Sequence, residues 1–155
     1  MSTDEFRQLC GFWATGVTVV TTCDREGRCF GLTINSVTSL SLDPPKLLVC
    51  IDNNSVTLPP LREAGKFCIN VLSETQKHIS HRFACKGTQK FADISYSKGR
   101  LGTPVLEGSL VAFECRVHEV IPSGDHQILI GLLDNAIVGN EEAKPLIFYK
   151  GEYAS

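Results

Sequence analysis

The chain lacks the short signatures that announce the common nucleotide-binding and hydrolytic chemistries. It has no Gly-x-Gly-x-x-Gly fingerprint, no Gly-x-x-x-x-Gly-Lys-Ser/Thr loop, no Gly-x-Ser-x-Gly elbow and no His-Glu-x-x-His pair. A nicotinamide coenzyme, where one is used, is then a visiting substrate and not the resident of a Rossmann domain. No basic run exceeds a residue or two, and a formal charge of -2 argues against an extended nucleic-acid surface, which needs clustered cations. No stretch approaches the length of a membrane-spanning helix, and Asp4, Glu5 and Arg7 interrupt any leader-like apolar run near the start. The expected setting is cytoplasmic, with neither membrane nor nucleic acid as partner.

Cys-x-x-Cys spacing is also missing. The seven cysteines (Cys10, Cys23, Cys29, Cys50, Cys68, Cys85 and Cys115) are odd in number, so neither a zinc knuckle nor a complete disulfide framework is signalled. Reduced thiols are expected, most of them acting as small apolar residues inside strand-like runs such as Val49-Cys50-Ile51. His78 and His81 fall on adjacent turns of an expected helix, but no further ligand follows at useful spacing, so no metal site is expected.

What is present fits one domain over residues 1–155, with 43% hydrophobic and 21% charged residues. Ser2 and Glu5 form a capping box ahead of Phe6, Leu9, Cys10 and Trp13, which predicts an opening amphipathic helix closed by Gly16. Val17 to Cys23 and Arg28 to Ile34 read as a hairpin around Asp24-Arg-Glu-Gly27. A strand over Lys46 to Ile51, a short helix near Leu61 ended by Gly65, a strand over Phe67 to Leu72 and a second capping box at Ser73 and Gln76 follow. Gly87 to Gly108 reads as mostly irregular. Two long strands, Leu110 to Ile121 and His126 to Val138, flank a turn at Pro122-Ser-Gly-Asp125, and Pro145 to Tyr149 closes the fold. Strands outnumber helices without regular alternation, which predicts a mainly β fold, a barrel with a few helices, and disfavours a doubly wound sheet.

The chemistry concentrates in Gly31 to Ile51. Thr33, Asn35, Ser36, Thr38, Ser39 and Ser41 place short hydroxyl and amide groups between two apolar runs, a donor set suited to phosphate and polyol oxygens. Asp43-Pro-Pro45 then forces a turn. His126 opens a strand at the rim, where its ring either meets a ligand or faces solvent. Tyr149 and Tyr153 are either edge packing or a lid over an aromatic ligand.

Phe12-Trp-Ala-Thr-Gly-Val-Thr-Val-Val-Thr21, the Gly31 to Pro45 segment, Phe67-Cys-Ile-Asn-Val-Leu72 with Gln76, Ser80 and Phe83-Ala84, then Glu114-Cys-Arg116, Gly124-Asp-His126, Pro145-Leu146 and Tyr149-Lys-Gly151 occur in one order along the chain. In that order and spacing the chain resembles the short-chain NAD(P)H:flavin reductase family, whose members have an FMN-binding split-barrel fold and are homodimers. The resemblance implies reduction of FMN or FAD by NADH or NADPH through hydride transfer to flavin N5, with reduced flavin handed to a partner monooxygenase. It implies flavin contacts from Thr33, Ile34, Asn35, Ser36, Ser39, Leu40, Ser41, Cys50, Asp52, Ser55 and Phe83, and nicotinamide contacts from His126 and Tyr149. Lys86 or Lys90 is the candidate partner of an FMN phosphate or FAD pyrophosphate. Pro59-Pro60 departs from the family pattern and predicts a late helix start with proline in the first turn. The alternative is a flavin-binding electron-transfer protein without rapid nicotinamide turnover.

Overall fold

The computed structural model describes residues 1–87 and 89–154. Helix α1 (Thr3–Cys10) starts at the expected capping box: the Glu5 amide donates to Ser2 Oγ and the Ser2 amide to the Glu5 carboxylate. It ends earlier than the apolar spacing suggests, at Gly11 and not Gly16, because the Phe12 and Trp13 amides turn back onto the Leu9 and Cys10 carbonyls. Trp13 therefore lies outside the helix. The chain continues through β1 (Thr15–Gly16), β2 (Thr18–Cys23), β3 (Cys29–Ile34), β4 (Val37–Leu42) and β5 (Pro45–Asp52). Next come α2 (Leu58–Ala64), β6 (Lys66–Val71), a 3-10 turn (Glu74–Gln76), α3 (Lys77–Ala84), β7 (Tyr96–Lys98) and β8 (Pro104–Leu106). The long pair β9 (Val111–Ser123) and β10 (His126–Val138) precedes β11 (Ile147–Tyr149) and β12 (Glu152–Tyr153). Gly65 caps α2 in the left-handed region at φ 67°, and prolines occupy its first turn.

The fold is mainly β. Seven strands form one antiparallel sheet in the order β3-β2-β6-β9-β10-β5-β4. Its two edge strands are consecutive in the chain, joined only by Asn35 and Ser36, so the sheet must curl until its edges meet at that end. This curl wraps one apolar cluster, with Val20, Val49, Ile51, Leu61, Phe67, Ile69 and Leu129 all buried. Strand β2 is buried along its whole length: Val20 points into that cluster, while Val19 joins Leu72, Ile79, Phe83 and Leu146 in a second one beneath α3. Its threonines are satisfied, Thr21 Oγ1 donating to the Pro104 carbonyl and Thr22 Oγ1 to that of Lys66.

Two further expectations change. Cys23 and Cys29 stand opposite each other at the turn end of the β2–β3 hairpin and are joined by a disulfide, where reduced thiols were expected. The hairpin register brings them together, since each flanks the turn by the same number of residues. The turn after β9 is also tighter than Pro122-Ser-Gly-Asp125: Ser123 pairs with His126, leaving Gly124 and Asp125 as a two-residue loop with Gly124 at φ 58°.

Gly131 sits on β10 beside a register shift, under Phe67. A Cβ there would lie 2.6 Å from Phe67 Cζ and 2.7 Å from Cys115 Cβ. Gly131→Ala is expected to cost about 1–3 kcal/mol through overpacking. A thermal melt should show roughly a 2–10 °C drop, and an unchanged midpoint would show that the core yields there.

Candidate functional site

Two cavities open on either side of the β3–β4 junction. The first, about 650 Å³, is lined by Trp13, Thr15, Asn35, Ser36, Thr38 and Cys50 among others. Its walls combine β1, the junction and the neighbouring strand β5. Ser36 Oγ donates to the Cys50 carbonyl at 2.7 Å and the Cys50 amide donates to the Ser36 carbonyl, which locks the junction onto β5 and leaves the Ser36 lone pairs as acceptors. Burial pushes the Cys50 thiol up, which favours its neutral form in the cavity wall. The Thr15 hydroxyl is shielded from water and has no hydrogen-bond partner, an orphan in the wall of this cavity.

The second cavity, about 590 Å³, lies between β3, the loop after β5 and the end of α3, lined by Thr33, Asn54, Ser55, Phe83, Lys86 and Lys90 among others. Gly31 forms part of its floor, and a Cβ there would meet the Phe83 ring at 2.8 Å. Thr33 Oγ1 is committed to the Ser80 carbonyl. Lys90 Nζ donates to the carbonyls of Gly31 and Phe83 at 3.0 and 3.2 Å, and burial lowers its pKa from the usual lysine range. The third ammonium proton remains for a ligand.

The expected site residues thus divide. Asn35, Ser36 and Cys50 border the first cavity, and Thr33, Ser55 and Phe83 border the second with both candidate lysines. Ile34 packs against the inner core. Ser39, Leu40 and Ser41 lie on edge strand β4 at a register shift, outside both cavities. Asp52 ends β5, where its carboxylate accepts from the Asn54 amide at 2.7 Å and shapes the turn carrying Ser55.

His126 stands opposite Asp52 in the β5–β10 ladder, at the rim and outside both cavities. The two turns are buckled together: the Asn53 amide donates to the Asp125 carbonyl, and the Asn53 side chain to that of Gly124. His126 Nδ1 lies 2.6 Å from Asp125 Oδ1, and that hydrogen bond holds the Asp125 carboxyl below the usual range. The contact also fixes the ring, leaving Nε2 free to face outward. Tyr149 is exposed on β11, beside β1, with Lys150 Nζ 5.4 Å from its ring centre. Sequence reasoning passed over Trp13 and Thr15, although both stand in the Phe12-Trp-Ala-Thr-Gly16 opening.

The chain matches known proteins along most of its length. The flavin reductase like domain model matches residues 10–155. A flavin reductase of Pseudomonas putida is 39% identical over 148 residues, covering 96% of this chain and 86% of the relative. The reductase subunit HsaB of a flavin-dependent monooxygenase from Mycobacterium tuberculosis is 38% identical over 149 residues, covering 96% of this chain and 79% of the relative. Among solved structures, an NADH:FAD oxidoreductase of Streptomyces globisporus in complex with NAD and FAD fragments superposes with a TM-score of 0.92 at 29% identity, covering 98% of this chain and 91% of that one.

Proposed function

Because the chain belongs to the flavin reductase-like domain family, we propose that it uses NADH or NADPH to reduce FMN or FAD and supplies the reduced flavin to a partner monooxygenase. The observation that carries this reading is the pair of cavities flanking one two-residue junction, one uncharged with apolar walls and a few hydroxyl and amide groups, the other rimmed by lysines. The residues fit such a cofactor. An orphan threonine hydroxyl, an asparagine and a serine suit the polar edge of a flat ring, and hydroxyls with two ammonium groups suit a ribityl phosphate.

When bound, the flavin supplies the hydride-accepting N5, a chemistry that asks the protein for orientation and charge stabilisation and for no nucleophile. The backbone around Ile34, Asn35 and Ser36 meets the ring edge, where donors stabilise charge that grows during reduction. Thr33, Ser55 and Phe83 line the path of the side chain, and Lys86 and Lys90 hold its phosphate end. His126, with Asp125 behind it, holds the nicotinamide coenzyme at the rim, and Tyr149 closes the same mouth.

The split-barrel arrangement is supported by edge strands that meet at Asn35-Ser36 without pairing along their length. A homodimer is supported by the uncovered apolar residues Phe6, Leu9 and Phe12 on the first helix and its exit, and by Leu42, 94% exposed on edge strand β4. In that assembly Ser39, Leu40 and Ser41 face the second copy's side of the site.

The test is steady-state oxidation of NADH and NADPH with excess FMN or FAD, where turnover beyond one equivalent of flavin is the supporting result. Bound flavin that ignores both coenzymes would instead favour an electron-transfer module. His126→Ala should raise KM for the coenzyme about tenfold, the equivalent of one hydrogen bond of about 1.4 kcal/mol, while flavin affinity holds within about twofold. Equal coenzyme kinetics in both proteins would remove His126 from the site.

A further inference from the structure

We propose that Trp13 is a positioning residue, a stacking platform for a planar heteroaromatic ring in the neutral cavity. The inference rests on the flavin reductase reading and adds a group to it.

Trp13 is the only tryptophan in the chain and is 79% exposed, yet it lines the 650 Å³ cavity together with Asn35 and Ser36. An indole left this open forgoes much of its apolar burial, and among the described residues no aromatic ring stacks on it. Its backbone is held from two sides. The Trp13 amide donates to the Cys10 carbonyl at the end of α1, and the carbonyl of nearby Gly11 accepts from the Lys150 amide at 2.9 Å. Beyond Ala14, Thr15 and Gly16 pair with Phe148 and Ile147 of β11. A platform on such a clamped segment loses little backbone entropy when a ring settles on it.

The surroundings specify what the ring is. Ala14, Val37 and Leu48 supply apolar wall, Asn35, Ser36 and Thr38 supply hydrogen-bonding edge groups, and the Thr15 hydroxyl lacks a partner. Gly16 leaves open space, since a Cβ there would meet nothing within 4 Å. A flat ring with polar atoms on its rim matches this set. The isoalloxazine of the flavin and the nicotinamide of the coenzyme both have that chemistry.

The experiment compares wild type, Trp13→Ala and Trp13→Phe by calorimetric titration with lumiflavin, which has the ring but no phosphate, and with FMN, alongside KM for NADH. Stacking on one aromatic predicts that alanine weakens lumiflavin and FMN binding alike by about tenfold, and that phenylalanine restores affinity to within about threefold. Flavin affinities unchanged with a tenfold higher KM for NADH support the platform and assign the ring to the coenzyme. Unchanged affinities and unchanged KM, in a wild type that binds flavin, overturn the platform and leave the reductase reading standing. Loss not rescued by phenylalanine and accompanied by a lower melting temperature overturns it in favour of a structural role. A wild type that binds neither flavin overturns both readings.

Discussion

Glu114→Leu is expected to lower the melting temperature by about 10 °C or more, the largest stability effect of any single substitution proposed for this chain. Glu114 is fully buried in β9, and its carboxylate accepts four hydrogen bonds: from the Arg100 amide at 2.8 Å, the Leu101 amide at 3.0 Å, Thr103 Oγ1 at 2.8 Å and Asn135 Nδ2 at 2.9 Å. It clasps the Gly99 to Thr103 turn against the sheet, and a side chain at Gly99 would collide with it. Leucine would orphan two backbone amides, a hydroxyl and an amide group. At about 1–3 kcal/mol for each buried donor left unpaired, the loss is a large part of a total stability of about 5–15 kcal/mol. Glutamine keeps an acceptor but turns an NH2 toward other donors, so a smaller drop is expected.

The same carboxylate gives the protein an acid limit. Burial pushes the Glu114 pKa up, but the hydrogen bonds from Asn135, Thr103, Leu101 and Arg100 outweigh it and hold the carboxyl below its ordinary value. A folded-state pKa below the unfolded one means that the contribution is fully present above the unfolded value. It is lost as pH falls through the folded one. The wild-type melting temperature should therefore fall more steeply below about pH 4 than that of Glu114→Gln. Parallel pH profiles would show that Glu114 does not carry this dependence.

Local signals carried much of the fold. Capping boxes at Ser2 and Ser73, the left-handed Gly65, the hairpin around Asp24 to Gly27 and the start of β10 at His126 all rest on interactions within a few residues. The departures came where a distant neighbour decides. Pro122 reads as a turn residue, yet it lies within β9, because β6 ends its pairing at Arg116 and leaves the far stretch of β9 with a free edge that tolerates a missing amide. The Cys23–Cys29 pairing was implicit in the hairpin, but counting cysteines along the chain does not apply the register. For the site, the hydroxyl-rich segment was visible, whereas its division was not. Thr33 and Asn35 line different cavities because the sheet edges meet between them, a consequence of seven strands curling and not of local sequence.

Charge reversal at the second cavity should produce the largest loss of ligand affinity. Lys86→Glu combined with Lys90→Met is expected to weaken FMN binding by about 100-fold or more, while riboflavin, which lacks the phosphate, changes by about threefold or less. The contrast follows from the placement of the two side chains. Lys86 is exposed at the cavity rim, so glutamate there folds without cost and repels a dianion. Lys90 is half-buried against the Gly31 and Phe83 carbonyls, and methionine keeps its stem while removing the ammonium. Loss of one charge-assisted hydrogen bond is worth about 1.5–3 kcal/mol, and the repulsion adds to it. Raising salt should weaken wild-type FMN binding more than riboflavin binding, because Lys86 is open to screening. FMN affinity of the wild type should also fall as pH drops below about 6, where the phosphate loses its second charge. Equal losses for FMN and riboflavin would instead show that the lysines shape the cavity without meeting the phosphate. In that case the phosphate end would have to be sought among Asn54 and the Ser55 turn alone.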